Sequence, residues 1–148
     1  AIRKMESYCA YQDRCYKEVK QKLFEMKMIP DAIDHIICYL VDNKFLDEQR
    51  YAMSFVRGKF NYKQWGKQRI EKELKFKEIS SYNIKKALQQ ISEQQYLQVL
   101  DNLVEKAYRN TKGVNTYLHK QKMINYLLYR GWEPHLVYDL VNDFMEAK

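Results

Sequence analysis

The chain has 148 residues and a formal net charge of +7, and 46% of its residues are hydrophobic, 14% aromatic and 30% charged. That apolar content excludes an intrinsically disordered chain, and no apolar run reaches the roughly 20 residues of a membrane span. Three cysteines, Cys9, Cys15 and Cys38, show no C-x-x-C spacing, which favours reduced thiols in a cytoplasmic protein over a disulfide scaffold.

Only four Gly and two Pro interrupt a sequence rich in helix formers, so an all-α fold is expected. The opening AIRKMESYCAY predicts a helix near residues 3–11. It lacks the apolar stretch and small-residue cleavage site of a secretory signal. Beyond it, three 18-residue windows align without gaps: LFEMKMIPDAIDHIICYL (23–40), LKFKEISSYNIKKALQQI (74–91) and LLYRGWEPHLVYDLVNDF (127–144). The offsets are 51 and 53 residues. Apolar residues coincide at Leu23/Leu74/Leu127, Met28/Ile79/Trp132, Ile33/Ile84/Val137, Ile37/Leu88/Val141 and Leu40/Ile91/Phe144, and upstream at Val19/Ile70/Met123. These spacings carry the 3.6-residue period of amphipathic helices.

Each window reads as the end of one helix, a short turn and a second helix. Pro30 and Pro134 suit a first helical turn, where a missing N–H costs nothing, and Ser80 can cap the helix between them. A third helix follows in the first two copies, with Phe45-Leu46 matched to Tyr96-Leu97 at offset 51. The expected organisation is an N-terminal helix (1–13), repeat one (14–61), repeat two (62–111) and a partial repeat three (112–148). This is a tandem array of three-helix, helix-turn-helix-like repeats, elongated or curved because stacked repeats mainly touch their neighbours.

The third helix of repeat one opens on Phe45-Leu-Asp-Glu-Gln-Arg-Tyr-Ala52. Two carboxylates and a guanidinium within four residues invite a catalytic reading, but a helix start accounts for them. Asp47 or Glu48 accepts orphan backbone N–H groups, and Arg50 lies within pairing distance of Asp47. In the 51-residue register Gln98 and Val99 replace Asp47 and Glu48 in repeat two, so the cap is not expected to recur.

Metal chemistry finds little support. His35 and Cys38 share a helix face, whereas zinc wants three or four ligands, and His119, His135, Cys9 and Cys15 show no partner spacing. Cys38 is expected to border the core of Ile33, Ile36, Ile37 and Leu40. No glycine-rich phosphate loop, G-x-S-x-G or H-E-x-x-H is present, so an enzyme is not expected.

Charge is concentrated in the middle third. Residues 51–100 hold ten basic and four acidic side chains, against nine and nine in 1–50 and seven and six in 101–148. The segment 57–77 contains eight cations and two carboxylates, interleaved with Phe60, Tyr62 and Trp65. Glu71 and Glu73 each support a lysine four residues on, whereas Arg57, Lys59, Lys63 and Lys67 have no carboxylate four residues upstream. Lys67 and Arg69 recur in phase as Lys120 and Lys122. Such a stripe suits a polyanion. Trp65 could stack on bases, but Leu118 at the equivalent place makes it a core residue in this reading. Gly66, equivalent to Cys15 and His119, either permits close approach of a neighbouring element or partner, or is incidental.

Two segments resemble a known family. Phe45-Leu-Asp-Glu-Gln-Arg-Tyr-Ala52 is similar to the Leu-Asp-Asp-x-Arg-Phe-Ala signature of RecX regulatory proteins, with Glu48 in place of the second Asp. Trp65-Gly-Lys-Gln-Arg-Ile-Glu-Lys-Glu-Leu74 is similar to the family's Gly-x-x-Arg-Ile-x-x-Glu-Leu segment. Lys27 and Glu78 stand where a turn glycine is often found, and Gly131 keeps it. The resemblance implies tandem three-helix repeats that dock on the RecA–DNA filament and modulate, usually inhibit, RecA ATPase and strand exchange. It implies roles in homologous recombination, DNA repair and the SOS response, without enzymatic activity or cofactor.

In that reading Arg50, Arg57, Lys59, Lys63, Lys67, Arg69, Lys120 and Lys122 face the RecA–DNA filament. Leu46, Asp47, Ala52, Gly66, Ile70 and Leu74 are motif residues with structural roles, with a further role open for Gly66. DNA, single- or double-stranded, would be met weakly or through the filament, by a monomer without membrane contact. The alternative is a stand-alone helix-turn-helix-type DNA-binding protein.

Overall fold

The computed structural model describes residues 1–111 and 115–148. Among them the chain is all helical, with no strand. In chain order the helices are α1 (Ile2–Tyr11), α2 (Tyr16–Glu25), α3 (Pro30–Asp42), α4 (Glu48–Asn61), α5 (Lys67–Phe76), α6 (Ser81–Leu88), α7 (Glu93–Asn110), α8 (Thr116–Tyr129) and α9 (Pro134–Glu146). The expected boundary of the third repeat at residue 112 lies outside the described residues.

Local chemistry sets the helix ends. Pro30 and Pro134 occupy first helical positions. Ser80 Oγ accepts from the Asn83 N–H at 3.2 Å, and Asn115 Oδ1 from the Leu118 N–H at 2.9 Å. Asp47 Oδ1 accepts from the Arg50 N–H at 2.9 Å, and Ser92 Oγ from the Gln95 N–H at 3.1 Å. Each such cap is worth about 1 kcal/mol. The caps of α4 and α7 therefore correspond at an offset of 45, not 51, aligning LDEQRYA (46–52) with ISEQQYL (91–97). The cap does recur, with Ser92 in the place of Asp47.

At the repeated positions three helix ends share one hydrogen-bond pattern, which the end of α3 also shows, with Phe45 N–H donating to Leu40 O at 2.9 Å after left-handed Lys44 (φ 63°). Met28 N–H donates to Leu23 O, Ile79 N–H to Leu74 O, and Trp132 N–H to Leu127 O, at 3.2, 3.1 and 3.3 Å. The residue before each donor is left-handed: Lys27 (φ 61°), Glu78 (φ 63°) and Gly131 (φ 92°). These are Schellman turns, whose closing apolar contact places Met28, Ile79 and Trp132 against the helix just ended.

Cα packing divides the chain into two units. The first comprises Ala1–Arg57 and Glu73–Leu88, the second Gly58–Lys72 and Gln89–Lys148. In the first unit Met5, Cys9, Val19, Leu23, Ile33, Ile36, Leu40 and Leu46 form one buried cluster. Lys17 Nζ donates to Phe76 O at 2.8 Å and lies 4.0 Å from the Phe76 ring centroid. In the second unit α7, α8 and α9 pack pairwise. Trp132 is fully buried, 4.4 Å from the Tyr96 ring and 6.4 Å from Phe60. The repeated positions Val19, Leu23, Ile70, Leu74, Met123 and Leu127 are all 0% exposed, and burying each such side chain contributes roughly 1.5–3 kcal/mol.

Cys38 departs from expectation and is exposed. Helix α3 buries Ile33, Ile36 and Leu40, and Cys38, two residues beyond Ile36, turns about 200° away from that stripe.

Candidate nucleic-acid interface

The second unit joins the start of α5 to the turn between α8 and α9. Gly66 N–H donates to Arg130 O at 2.8 Å, and Gln68 N–H to Gly131 O at 3.1 Å. Arg130 Nη1 donates to Lys63 O at 2.8 Å, and Trp132 Nε1 to Gln64 O at 3.1 Å. A Cβ on Gly66 would lie 2.6 Å from Trp132 Cα. Glycine is required here because two backbones touch. Of the readings open for Gly66, close approach of a neighbouring element is the one realised.

A hydroxyl ties three helices together beneath this contact. Tyr96 OH accepts from the Lys67 N–H at 2.8 Å and donates to Glu133 Oε1. Lys67 opens α5, Tyr96 lies on α7, and Glu133 precedes α9. Burial, then the bond to Glu133, pushes the Tyr96 pKa above its usual value of 10.0. Burial does the same for Tyr51, with Glu18 and Cys15 beside it. A raised tyrosine pKa means the folded state holds its proton more tightly, so stability is full below pH 10 and falls as pH rises beyond it. Tyrosinate absorbance should show Tyr51 and Tyr96 ionising late, together with loss of helical circular dichroism. Tyr96→Phe should cost about 1–3 kcal/mol and remove one late-ionising tyrosine, leaving Tyr51. A titration of the folded protein that Tyr96→Phe leaves unchanged would refute this assignment.

Above that joint lies a surface groove of about 820 Å³, lined by Trp65, Arg69, Thr111, Lys122, Asn125, Tyr126, Tyr129 and Arg130. Arg69 spans it: its guanidinium lies 4.0 Å from the Trp65 ring centroid and 5.0 Å from that of Tyr129. Arg69 Nη1 also donates to Tyr129 O at 3.4 Å. Lys59 Nζ lies 4.9 Å from the Trp65 ring, and the Arg130 guanidinium 4.7 Å from that of Tyr126. Cations over aromatic faces contribute roughly 0.5–1 kcal/mol each at exposed sites, and they hold the rings in place.

Trp65 is therefore not a core residue. It is half-buried and belongs to the segment before α5, whereas its alignment partner Leu118 sits inside helix α8. The two backbones differ, so the two side chains leave them in different directions.

The expected basic residues fall in both units. Lys59, Lys63, Lys67, Arg69, Lys120 and Lys122 lie in the second unit, Arg50 and Arg57 in the first. Arg69 and Lys122 line the groove, Lys59 reaches Trp65, and Lys67 Nζ lies 4.6 Å from the Tyr96 ring. Lys63 supplies a carbonyl to Arg130 and is itself exposed. Lys120 is half-buried on α8, and Arg57 is exposed on α4. Arg50 does not make its side-chain bond to Asp47. Its Nε pairs with Asp13 Oδ1 at 2.9 Å, while Nη1 and Nη2 donate to Lys44 O and Phe45 O at 3.0 and 3.1 Å. It thereby closes the turn between α3 and α4. Leu46, Ala52, Gly66, Ile70 and Leu74 are buried, and Asp47 is the exposed cap already described.

Tyr126, Tyr129, Arg130 and Asn125 were not foreseen from the sequence. Their signal was present, since Lys122, Tyr126, Tyr129 and Arg130 follow one helix face at spacings of four, three and one. Among the described residues no three His, Cys, Asp or Glu side chains gather as a metal site would need.

Two family models match. The model described as RecX, second three-helix domain, covers residues 47–88, and the third three-helix domain covers residues 93–141. The first spans α4–α6 and the second α7, α8 and most of α9, so the family divides the repeat one helix earlier than the windows above. The Regulatory protein RecX of Bacillus cytotoxicus is 26% identical over 142 residues, covering 96% of this chain and 53% of that protein. The Regulatory protein RecX of Limosilactobacillus reuteri is 27% identical over 143 residues, covering 97% and 54%. The chain thus spans about half the length of these curated relatives. A crystal structure of RecX from Lactobacillus salivarius superposes with a TM-score of 0.83 at 25% identity, over 96% of this chain and 92% of that one. A crystal structure of regulatory protein RecX gives 0.87 at 25% identity, over 96% and 71%. With both family models together matching more than half of its residues, the chain belongs to the RecX family.

Proposed function

We propose that this protein regulates homologous recombination and DNA repair by binding the RecA–DNA filament and inhibiting RecA ATPase and strand exchange. In this reading it is a cytoplasmic monomer of the SOS response that acts by occupancy, with neither cofactor nor covalent chemistry. Its relatives are named regulatory proteins. Among the described residues no helix is long and apolar enough to cross a membrane.

The observation that carries the proposal is the basic face of the second unit. Lys59, Lys67, Arg69 and Arg130 are held over aromatic rings there, and Lys122 lies in the same groove as Arg69 and Arg130. A surface of this kind attracts a polyanion from a distance and holds it at short range.

The test is DNA-stimulated RecA ATPase titrated with the protein, alongside affinity for a bare strand and for a RecA-coated one. Falling ATPase and tighter binding to the coated strand are expected. ATPase and strand exchange that stay unchanged at saturating protein would refute the proposal. Tight binding to bare DNA alone would favour a stand-alone DNA-binding protein.

A further inference from the structure

Three aromatic rings and three cations line the groove of the second unit, and its described lining includes no carboxylate. Its volume of about 820 Å³ falls within the 300–1,000 Å³ typical of small-ligand sites. A bare anion site would need the cations but not the ring faces. A purely apolar ligand would need the rings but not Arg69, Lys122 and Arg130. A planar group carrying negative charge uses both.

The groove is also fixed in shape. The segment carrying Trp65 is tied down by the bonds from Arg130 to Lys63 O and from Trp132 to Gln64 O. Arg69 sets the spacing between the Trp65 and Tyr129 rings. Tyr129 nevertheless remains 77% exposed, a large ring face left accessible at the surface. Duplex DNA keeps its bases stacked inside, so only a strand with an unstacked base can fill such a place.

We infer, resting on the filament reading above, that this groove binds one unstacked base of a single nucleic-acid strand. The base stacks among Trp65, Tyr126 and Tyr129, and the flanking phosphates meet Lys122 and Arg130. The contact is to the strand itself and would operate wherever a filament leaves a base accessible.

Tryptophan fluorescence and anisotropy of the whole chain test this, with oligo(dT), an abasic strand of equal phosphate number, and a duplex as ligands. Oligo(dT) should quench the emission and bind about tenfold more tightly than the abasic strand or the duplex, the scale of one stacked base. Trp65→Leu, which installs the residue of the equivalent position in the next repeat, should abolish the quench and lower affinity for oligo(dT) by about tenfold. The remaining signal from Trp132, which is fully buried, should not respond. Tyr129→Ala, at an exposed ring, should weaken binding to a similar degree while the protein stays folded.

Equal affinity for abasic strand and oligo(dT), or full affinity in both variants, would overturn the groove. Base-dependent binding without any effect on RecA ATPase would support the groove and overturn only the filament reading. Inhibition of RecA with no preference for bases would overturn the groove and leave the filament reading standing.

Discussion

Gly66→Ala is expected to lower stability by about 3 kcal/mol or more, the upper end for overpacking, and to reduce the melting temperature by about 10 °C. The added methyl carbon would sit 2.5 Å from Gly131 C and 2.6 Å from Trp132 Cα. Both are backbone atoms, so no rotamer change relieves the clash. Moving the chain apart would also break the bond from Gly66 N–H to Arg130 O. Gly131→Ala meets the same joint from the other side: its Cβ would lie 2.5 Å from Arg69 N, at a φ of 92° that disfavours any side chain.

Gly58 supplies the control. It lies within α4, and a Cβ there would meet nothing within 4 Å, so Gly58→Ala should stabilise by about 0.5–1 kcal/mol. Urea denaturation of the three variants reads the contrast directly. Similar midpoints for Gly66→Ala and Gly58→Ala would refute the backbone contact.

If the protein acts on the RecA–DNA filament as proposed, combined Lys63→Glu, Lys120→Glu and Lys122→Glu should weaken that inhibition by about 100-fold near physiological salt, the loss expected when three phosphate contacts disappear. The three lysines belong to the second unit, and two of them are fully on the surface, so folding should survive. The plot of log affinity against log salt should become shallower by about three. Lys4→Glu, Lys20→Glu and Lys85→Glu together alter net charge equally at exposed sites of the first unit. If that triple weakened inhibition as much, net charge rather than a located surface would govern binding.

Much of the fold was legible because its strongest signal is hydrophobic spacing. Val19, Leu23, Ile70, Leu74, Met123 and Leu127 recur at fixed offsets, and every one is fully buried. Pro30 and Pro134 marked helix starts for a backbone reason that needs no tertiary context. Register between copies was harder to read. Helix α3 has 13 residues and α6 has 8, so an alignment without gaps slips past the second cap and hides the correspondence of Asp47 with Ser92.

The groove was legible only in part for a related reason. A repeat alignment reports which positions coincide, whereas Trp65 and Leu118 coincide in sequence on unlike backbones. Arg69 and Lys122 stood out through charge. Tyr126 and Tyr129 did not, because their helix was read for its buried face at Met123 and Leu127. Arg50 was visible as a cation, but its bonds to Asp13, Lys44 and Phe45 depend on a turn that only the folded chain forms.

The three Schellman turns at the repeated positions differ in what they ask of their residues. Lys27 and Glu78 hold left-handed backbone with a full side chain, a conformation about 1–2 kcal/mol above that of a right-handed residue. Gly131 escapes that strain, yet is the position whose surroundings admit no Cβ. Thermal adaptation of this chain therefore has an asymmetric route: glycine is available as a stabilising exchange at the first two turns, while the third is already fixed by the neighbour it touches.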